Sequence, residues 1–221
     1  MYRPERVVIL AAGPLHDPAV IKAGITALAP EKIICADGGA VHALAMGLCP
    51  SLVIGDLDSL PEETQTRLRE MGCELRRYPA AKDDTDTSLA LEEALRLRPR
   101  EIFVFGATGR RLDHTLANIA LLLRGVREGI PVRIVDEWCE IFAVTRRYRF
   151  RGRPGERVSI FPLAGEALGV TLEGFEYPLR DGVMPPERPY GISNRIAAPE
   201  CAIAVASGVL LVLRYFGADR G

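Results

Sequence analysis

Lysine is scarce in this chain: Lys22, Lys32 and Lys82 are the only three among 28 basic side chains. No Gly-x-x-x-x-Gly-Lys-Ser/Thr run occurs, which excludes an ordinary P-loop. The five cysteines (Cys35, Cys49, Cys73, Cys139 and Cys201) are odd in number and form no Cys-x-x-Cys pair, so reduced, mostly buried thiols are expected, not a disulfide frame or zinc site. No apolar run approaches the roughly 18 residues of a membrane span. The stretch from Met1 to Arg6 leads into an apolar run too short for a signal peptide, and a cytoplasmic protein is expected. A formal net charge of −1 supplies no global field for nucleic acid or an anionic membrane. Aromatic content is 6% with a single tryptophan, Trp138, expected in core or interdomain packing. His16 and His42 show no partner in the sequence and read as incidental.

What is present is a soluble composition, 48% hydrophobic and 26% charged over 221 residues, enough for one large domain or two modest ones. Short apolar runs alternate with helical patterns through the first two thirds. Arg6–Leu10, Lys32–Ala36, Leu52–Ile54, Glu74–Tyr78, Ile102–Phe105 and Val132–Val135 read as strands. Between them lie helical stretches. Asp17-Pro18 opens the first as N-cap and first-turn proline, and a long one runs from Asp113 to Glu128. This alternation predicts right-handed crossovers and a parallel sheet covered on both faces. After Val144 the helical period disappears, and short strands separated by Gly- and Pro-bearing turns predict a small β-sandwich. The expected domains are 1–144 (α/β, Rossmann-like) and 145–221 (all-β).

Four polar clusters follow the strands. They are Asp37-Gly38-Gly39, Gly55-Asp56-Leu57-Asp58-Ser59, Lys82-Asp83-Asp84-Thr85-Asp86, and Gly106 to His114, which includes Thr108, Arg110, Arg111 and Asp113. In a parallel sheet all four would gather at the carboxyl edge, where ligands bind. Alternation along an extended chain predicts that Asp56 and Asp58 point the same way, and two such carboxylates repel unless a cation lies between them. Taken alone the pair is either a solvated turn or a cation site. Asp37 and Asp113 are each also suited to capping a helix. Glycines at helix starts admit phosphate to backbone N–H groups, arginines bind phosphate oxygens, and clustered aspartates hold Mg²⁺. The sum is a nucleoside triphosphate site without a Walker sequence, in which Lys82 would neutralise transferring phosphate.

These four motifs in this order, followed by a β domain, resemble the thiamine pyrophosphokinase family. The resemblance implies transfer of the pyrophosphoryl group of ATP to the thiamine hydroxyl with Mg²⁺, giving thiamine diphosphate and AMP, in a homodimer. It implies metal and catalytic roles for Asp56, Asp58 and Asp86, with Lys82 beside them. ATP contacts fall to Asp37, Gly38, Gly39, Thr108, Arg110, Arg111, Asp113 and His114. Thiamine contacts fall to Asp86 and to Ser193-Asn194, where the family has a Ser-Asn segment facing thiamine across the dimer. A carboxylate near the hydroxyl would take its proton, with Asp86 the candidate, although metal ligation uses the same oxygens. Three alternatives stand beside this reading: a pyrophosphokinase for another hydroxymethyl substrate such as a pterin, a metal-dependent phosphohydrolase, and a non-catalytic nucleotide sensor.

Overall fold

A computed structural model describes residues 3–79 and 83–216; Lys82 lies outside the described residues. The chain divides into two compact units, Met1–Glu137 and Trp138–Gly221.

The first unit alternates strand and helix throughout. Its elements are β1 (Arg6–Leu10), α1 (Pro18–Leu28), β2 (Lys32–Ala36), α2 (Gly39–Ala45), β3 (Leu52–Gly55), α3 (Glu62–Glu70), β4 (Glu74–Arg77), α4 (Asp86–Arg96), β5 (Glu101–Phe105), α5 (Leu112–Glu128) and β6 (Val132–Val135). The six strands pair in parallel in the order β6-β5-β1-β2-β3-β4. The central strands are buried along nearly their whole length, as a sheet covered on both faces requires. Asp17 caps α1, its carboxylate accepting from the N–H groups of Ala19 and Val20.

After β4 the chain returns to the far side of β1, so strand order reverses between β1 and β5. In an open parallel sheet that reversal leaves a crevice at the carboxyl edge. The two trailing loops are stitched together there, with Ala11 N–H donating to the Phe105 carbonyl at 2.9 Å and Gly13 N–H to the Gly106 carbonyl at 2.8 Å.

Two sequence expectations change locally. The helix expected from Ser88 begins at Asp86, because the Thr85 hydroxyl accepts from the Ser88 N–H and caps it. Asp86 is therefore a first-turn helical residue and not part of a loop. The extended geometry expected across Asp56–Asp58 is absent: β3 ends at Gly55, and Leu57 turns left-handed at φ 62° with its side chain buried. The Asp56 carboxylate accepts from the Asp58 N–H at 3.0 Å, a side-chain-closed turn.

The second unit holds β7 (Cys139–Val144), β8 (Arg147–Arg151), β9 (Arg157–Pro162), β10 (Ala167–Glu173), β11 (Leu179–Met184), β12 (Asn194–Arg195), β13 (Glu200–Ala204) and β14 (Leu210–Tyr215). All pair antiparallel, as β12-β9-β14-β7 and as β11-β10-β13-β8. Their inner faces share one core that includes Phe142, Val158, Ile160, Val170, Ile203 and Val212. Strand β7 pairs with β14 over its whole length and lies in the second unit, although residues 139–144 fall inside the expected α/β range of 1–144. Trp138 is half exposed, not a core residue.

Candidate functional site

At the carboxyl edge of the parallel sheet lies a cavity of about 740 Å³. Its floor is the backbone after β1 (Ala11 to Pro14) and after β5 (Gly106 to Gly109), and its acidic side carries Asp37, Asp56, Asp84 and Asp86. Arg110, Arg111 and His114 stand at its rim.

Close approach dictates the glycines. A Cβ on Gly39 would sit 2.0 Å from the Leu10 carbonyl oxygen, so α2 starts in backbone contact with the end of β1. A Cβ on Gly13 would meet the Gly106 carbonyl oxygen at 2.3 Å, and Gly106 itself adopts φ 65°. Gly38 is the N-cap of α2 and makes no side-chain cap bond.

Asp37 is the most informative residue. It precedes that N-cap, so the capping role available to it in sequence is not the one it fills. Its backbone is left-handed at φ 42°, with its N–H donating to the Ile54 carbonyl at 2.9 Å. One carboxylate oxygen, Oδ1, is buried without a hydrogen-bond partner. A buried unpaired carboxylate oxygen is costly, and such orphans mark a missing cation or donor. Asp37 and Asp86 both flank Gly55: a Cβ placed there would lie 2.8 Å from the Asp37 Cβ and 3.2 Å from Asp86 Oδ1. Asp56 follows on the same wall. Among the described residues no group of three or more His, Cys, Asp or Glu side chains is arranged to hold a metal by itself. Mg²⁺ is commonly held by one or two carboxylates together with substrate phosphates and water. Hard oxygen donors and an orphaned buried oxygen fit such an ion.

Asp58 is exposed and does not line the cavity; its N–H is engaged by Asp56. Arg111 and Asp113 form a bidentate pair at 3.0 and 2.6 Å. The hydrogen bond from Arg111 holds the Asp113 carboxyl far below the usual carboxylate range, and the same bond raises the guanidinium. Asp113 thus serves Arg111 on the first turn of α5, where Arg111 is the N-cap and makes no side-chain cap bond. His42 is not incidental: its Nε2 lies 2.9 Å from the Gly13 carbonyl oxygen and ties α2 to the loop after β1.

Sequence reasoning passed over three parts of this cavity. The loop from Ala11 to Pro14 looked like an ordinary turn, and only its place at the strand-order reversal reveals it. Thr87 and Thr115 carry no motif. Asn118 is buried on α5 and donates from Nδ2 to the Ala107 carbonyl at 2.8 Å, fixing the loop after β5. Its one sequence signal was an amide among the apolar positions of a helix.

In the second unit Ser193 is exposed with φ 59°, and its N–H donates to Ser159 Oγ at 3.1 Å. Asn194 is buried. Its Oδ1 accepts from the N–H groups of Tyr177 (3.0 Å) and Arg195 (2.8 Å), and its Nδ2 donates to the Tyr177 carbonyl (2.8 Å). The side chain is spent on the local backbone, and Ser193 is the residue it presents.

Comparison with known proteins bears on both units. A family model described as thiamin pyrophosphokinase, catalytic domain, matches residues 28–134, and one described as thiamin pyrophosphokinase, vitamin B1 binding domain, matches residues 145–210. The thiamine pyrophosphokinase of Bacillus subtilis (strain 168) is 34% identical over 180 residues, covering 80% of this chain and 84% of that one. A crystal structure of thiamine pyrophosphokinase from Bacillus subtilis superposes with a TM-score of 0.84 at 30% identity, covering 97% and 99% of the two chains. The yeast thiamin pyrophosphokinase structure matches with a TM-score of 0.80 at 16% identity over 98% and 88%, a likeness of fold alone.

Proposed function

Because the chain belongs to the thiamine pyrophosphokinase family and is an enzyme of that reaction class, we propose that the cavity at the carboxyl edge of the parallel sheet binds ATP with Mg²⁺ and passes its pyrophosphoryl group to the thiamine hydroxyl. The observation that carries this reading is the meeting of Asp37, with its orphaned buried oxygen, Asp56 and Asp86 beside two glycine-bearing loops.

Asp56 and Asp86 would hold the metal, with Asp37 completing the acidic wall and Asp58, on the exposed turn beside them, reaching it only from outside the cavity lining. The bound ion neutralises charge on the phosphoryl oxygens. The backbone N–H groups of the loops after β1 and β5 approach the nucleotide, and Gly38 and Gly39 keep the start of α2 clear of side chains. Arg110 and Arg111 meet phosphate oxygens at the rim, Arg111 held in one direction by Asp113, with Thr108 and His114 beside them. Asp86 takes the proton of the thiamine hydroxyl as it attacks the β-phosphorus, and AMP leaves. Lys82 neutralises the transferring group. Ser193 meets thiamine, with Asn194 holding its turn. The protein acts as a homodimer in which the partner's β unit completes the site. The exposed apolar side chains of Tyr177, Val183, Tyr190 and Ile192 support that assembly. No helix among the described residues is long and apolar enough to cross a membrane, and we place the enzyme in the cytoplasm.

The test is acceptor dependence. With Mg²⁺–ATP, AMP should form in step with thiamine diphosphate when thiamine is present. A hydroxymethylpterin or water in its place should yield little. AMP formed with the pterin alone would assign the other pyrophosphokinase reaction, and phosphate release without any alcohol would assign a phosphohydrolase.

A further inference from the structure

Ser88 is one of the few buried polar side chains among the described residues, 5% exposed, and it follows Asp86 in the first turn of α4. Its hydrogen bonds run in one direction. Arg124 on α5 donates from Nη1 to Ser88 Oγ at 2.6 Å and to the Ser88 carbonyl at 3.3 Å. A guanidinium has no acceptor, so the serine oxygen must accept from it. The single hydroxyl proton is then free to go only outward, to Asp84 Oδ1 at 2.6 Å. The Ser88 N–H meanwhile donates to the Thr85 hydroxyl. One buried residue thus grips both residues that lead into Asp86, and its orientation is set by a cation on a different helix.

Arg124 also borders a cavity of about 410 Å³ with Arg96, Arg98, Arg127, Glu92 and Glu128. Two of the arginines there are matched internally, Arg96 by Glu92 and Glu93 and Arg98 by Glu128. Arg124 differs: its Glu92 contact is long, 3.8 Å, and its short contact is the serine.

We propose that Arg124 is a positioning residue for the reaction, acting through the Ser88 hydroxyl to fix the Asp84–Asp86 turn at the nucleotide cavity. The inference rests on the assignment of that cavity to Mg²⁺–ATP. Arg124 touches no substrate. It couples α5, whose first turn carries Arg111 and His114, to the first turn of α4, which carries Asp86. The acidic and basic sides of the site are thereby held in register.

Steady-state rates well below the unfolding midpoint test it. Arg124→Gln should raise KM for Mg²⁺–ATP about tenfold, the usual size of an outer-shell loss, and raise KM for thiamine, which meets only Asp86 of that turn, by clearly less. Arg124→Lys, which keeps the charge and one donor, should recover most of that loss. In an Asp84→Ala background Arg124→Gln should add nothing further, as expected of residues acting through one another. A fall in kcat matched by an equal fall in the folded, ATP-binding fraction, with both KM values unmoved, would mean only lost folded enzyme and would overturn the proposal. So would no change at all, or an undiminished effect in the Asp84→Ala background. Ser88→Ala runs the same cycle should the arginine variant not fold. A wild-type protein making no thiamine-dependent AMP contradicts the assigned reaction instead. Amide exchange over residues 83–88 then decides the relay: faster exchange in Arg124→Gln supports it and unchanged exchange overturns it.

Discussion

At Asp37 a single left-handed backbone angle turns a carboxylate away from the helix it precedes and into the wall of the cavity. Non-glycine residues at positive φ cost on the order of 1–3 kcal/mol and persist where surrounding structure holds them. Here the N–H bond to Ile54 and the glycines after it do so. The orphaned oxygen predicts a gain on binding: Mg²⁺–ATP should raise the melting temperature of the wild type, and by clearly less in Asp37→Ala. Asp56 makes a sharper case. Asp56→Asn keeps an oxygen that accepts from the Asp58 N–H, so the turn survives while the anionic ligand is lost. Turnover should fall by more than about a hundredfold, since the ion supplies several kcal/mol of charge stabilisation, with the urea midpoint nearly unchanged. Asp58→Asn, at an exposed carboxylate outside the cavity lining, should cost less. Asp56 was legible in sequence as a carboxylate following a buried strand, and Asp86 as the last of three aspartates in one short run. The distinction between Asp56 and Asp58 was not, because it depends on Leu57 turning left-handed to bury its side chain.

Elements meet at this site by backbone contact. The start of α2 lies against the end of β1, and a methyl on Gly39 has no room beside the Leu10 carbonyl. Gly39→Ala should therefore lower stability by about 1–3 kcal/mol, the usual cost of overpacking, and weaken ATP binding with it; chemical denaturation and nucleotide titration read the two effects. Between β3 and β4, burial pushes the Cys73 thiol up to about 11 from an ordinary 9.0. A group raised in the folded state contributes fully below its unfolded value, so that contribution should be lost as pH climbs from about 9 to about 11. The urea midpoint should fall across that window less steeply in Cys73→Ala. Of the free cysteines, exposed Cys49 should be alkylated first at pH 8. Most elements were readable from apolar period and turn chemistry, including Asp17 as the cap of α1. The start of α4 was misplaced because Asp83, Asp84, Thr85 and Asp86 are all acceptable caps, and only the Thr85 hydroxyl bond selects one. Residues 139–144 fall inside the expected α/β range because the change of pattern is read only after Val144, and it is the pairing with β14 that groups them with the β strands.

Over the whole molecule, an α/β unit and a β unit divide the proposed work, the first to hold the phosphate chemistry and the second to hold thiamine and the partner subunit. Exposed Tyr177, Tyr190 and Ile192 give the β unit an apolar surface that a monomer would leave wet. Light scattering should return twice the 24.2 kDa chain mass, and Ile192→Asp should shift the population toward monomer and lose activity together. A fully active monomer would remove the second subunit from the site. The order of the four motifs made the catalytic unit readable. The thiamine side was faint in sequence, because within the β unit only Ser193 and Asn194 carried it, and the Asn194 side chain bonds the local backbone. The central claim is attack at the β-phosphorus, and the most direct measurement follows the phosphates. With ATP labelled at its β and γ phosphates, both labels should arrive together on thiamine, leaving unlabelled AMP. Labelled ADP accompanied by thiamine monophosphate, or label released to water at the same rate without thiamine, would contradict it.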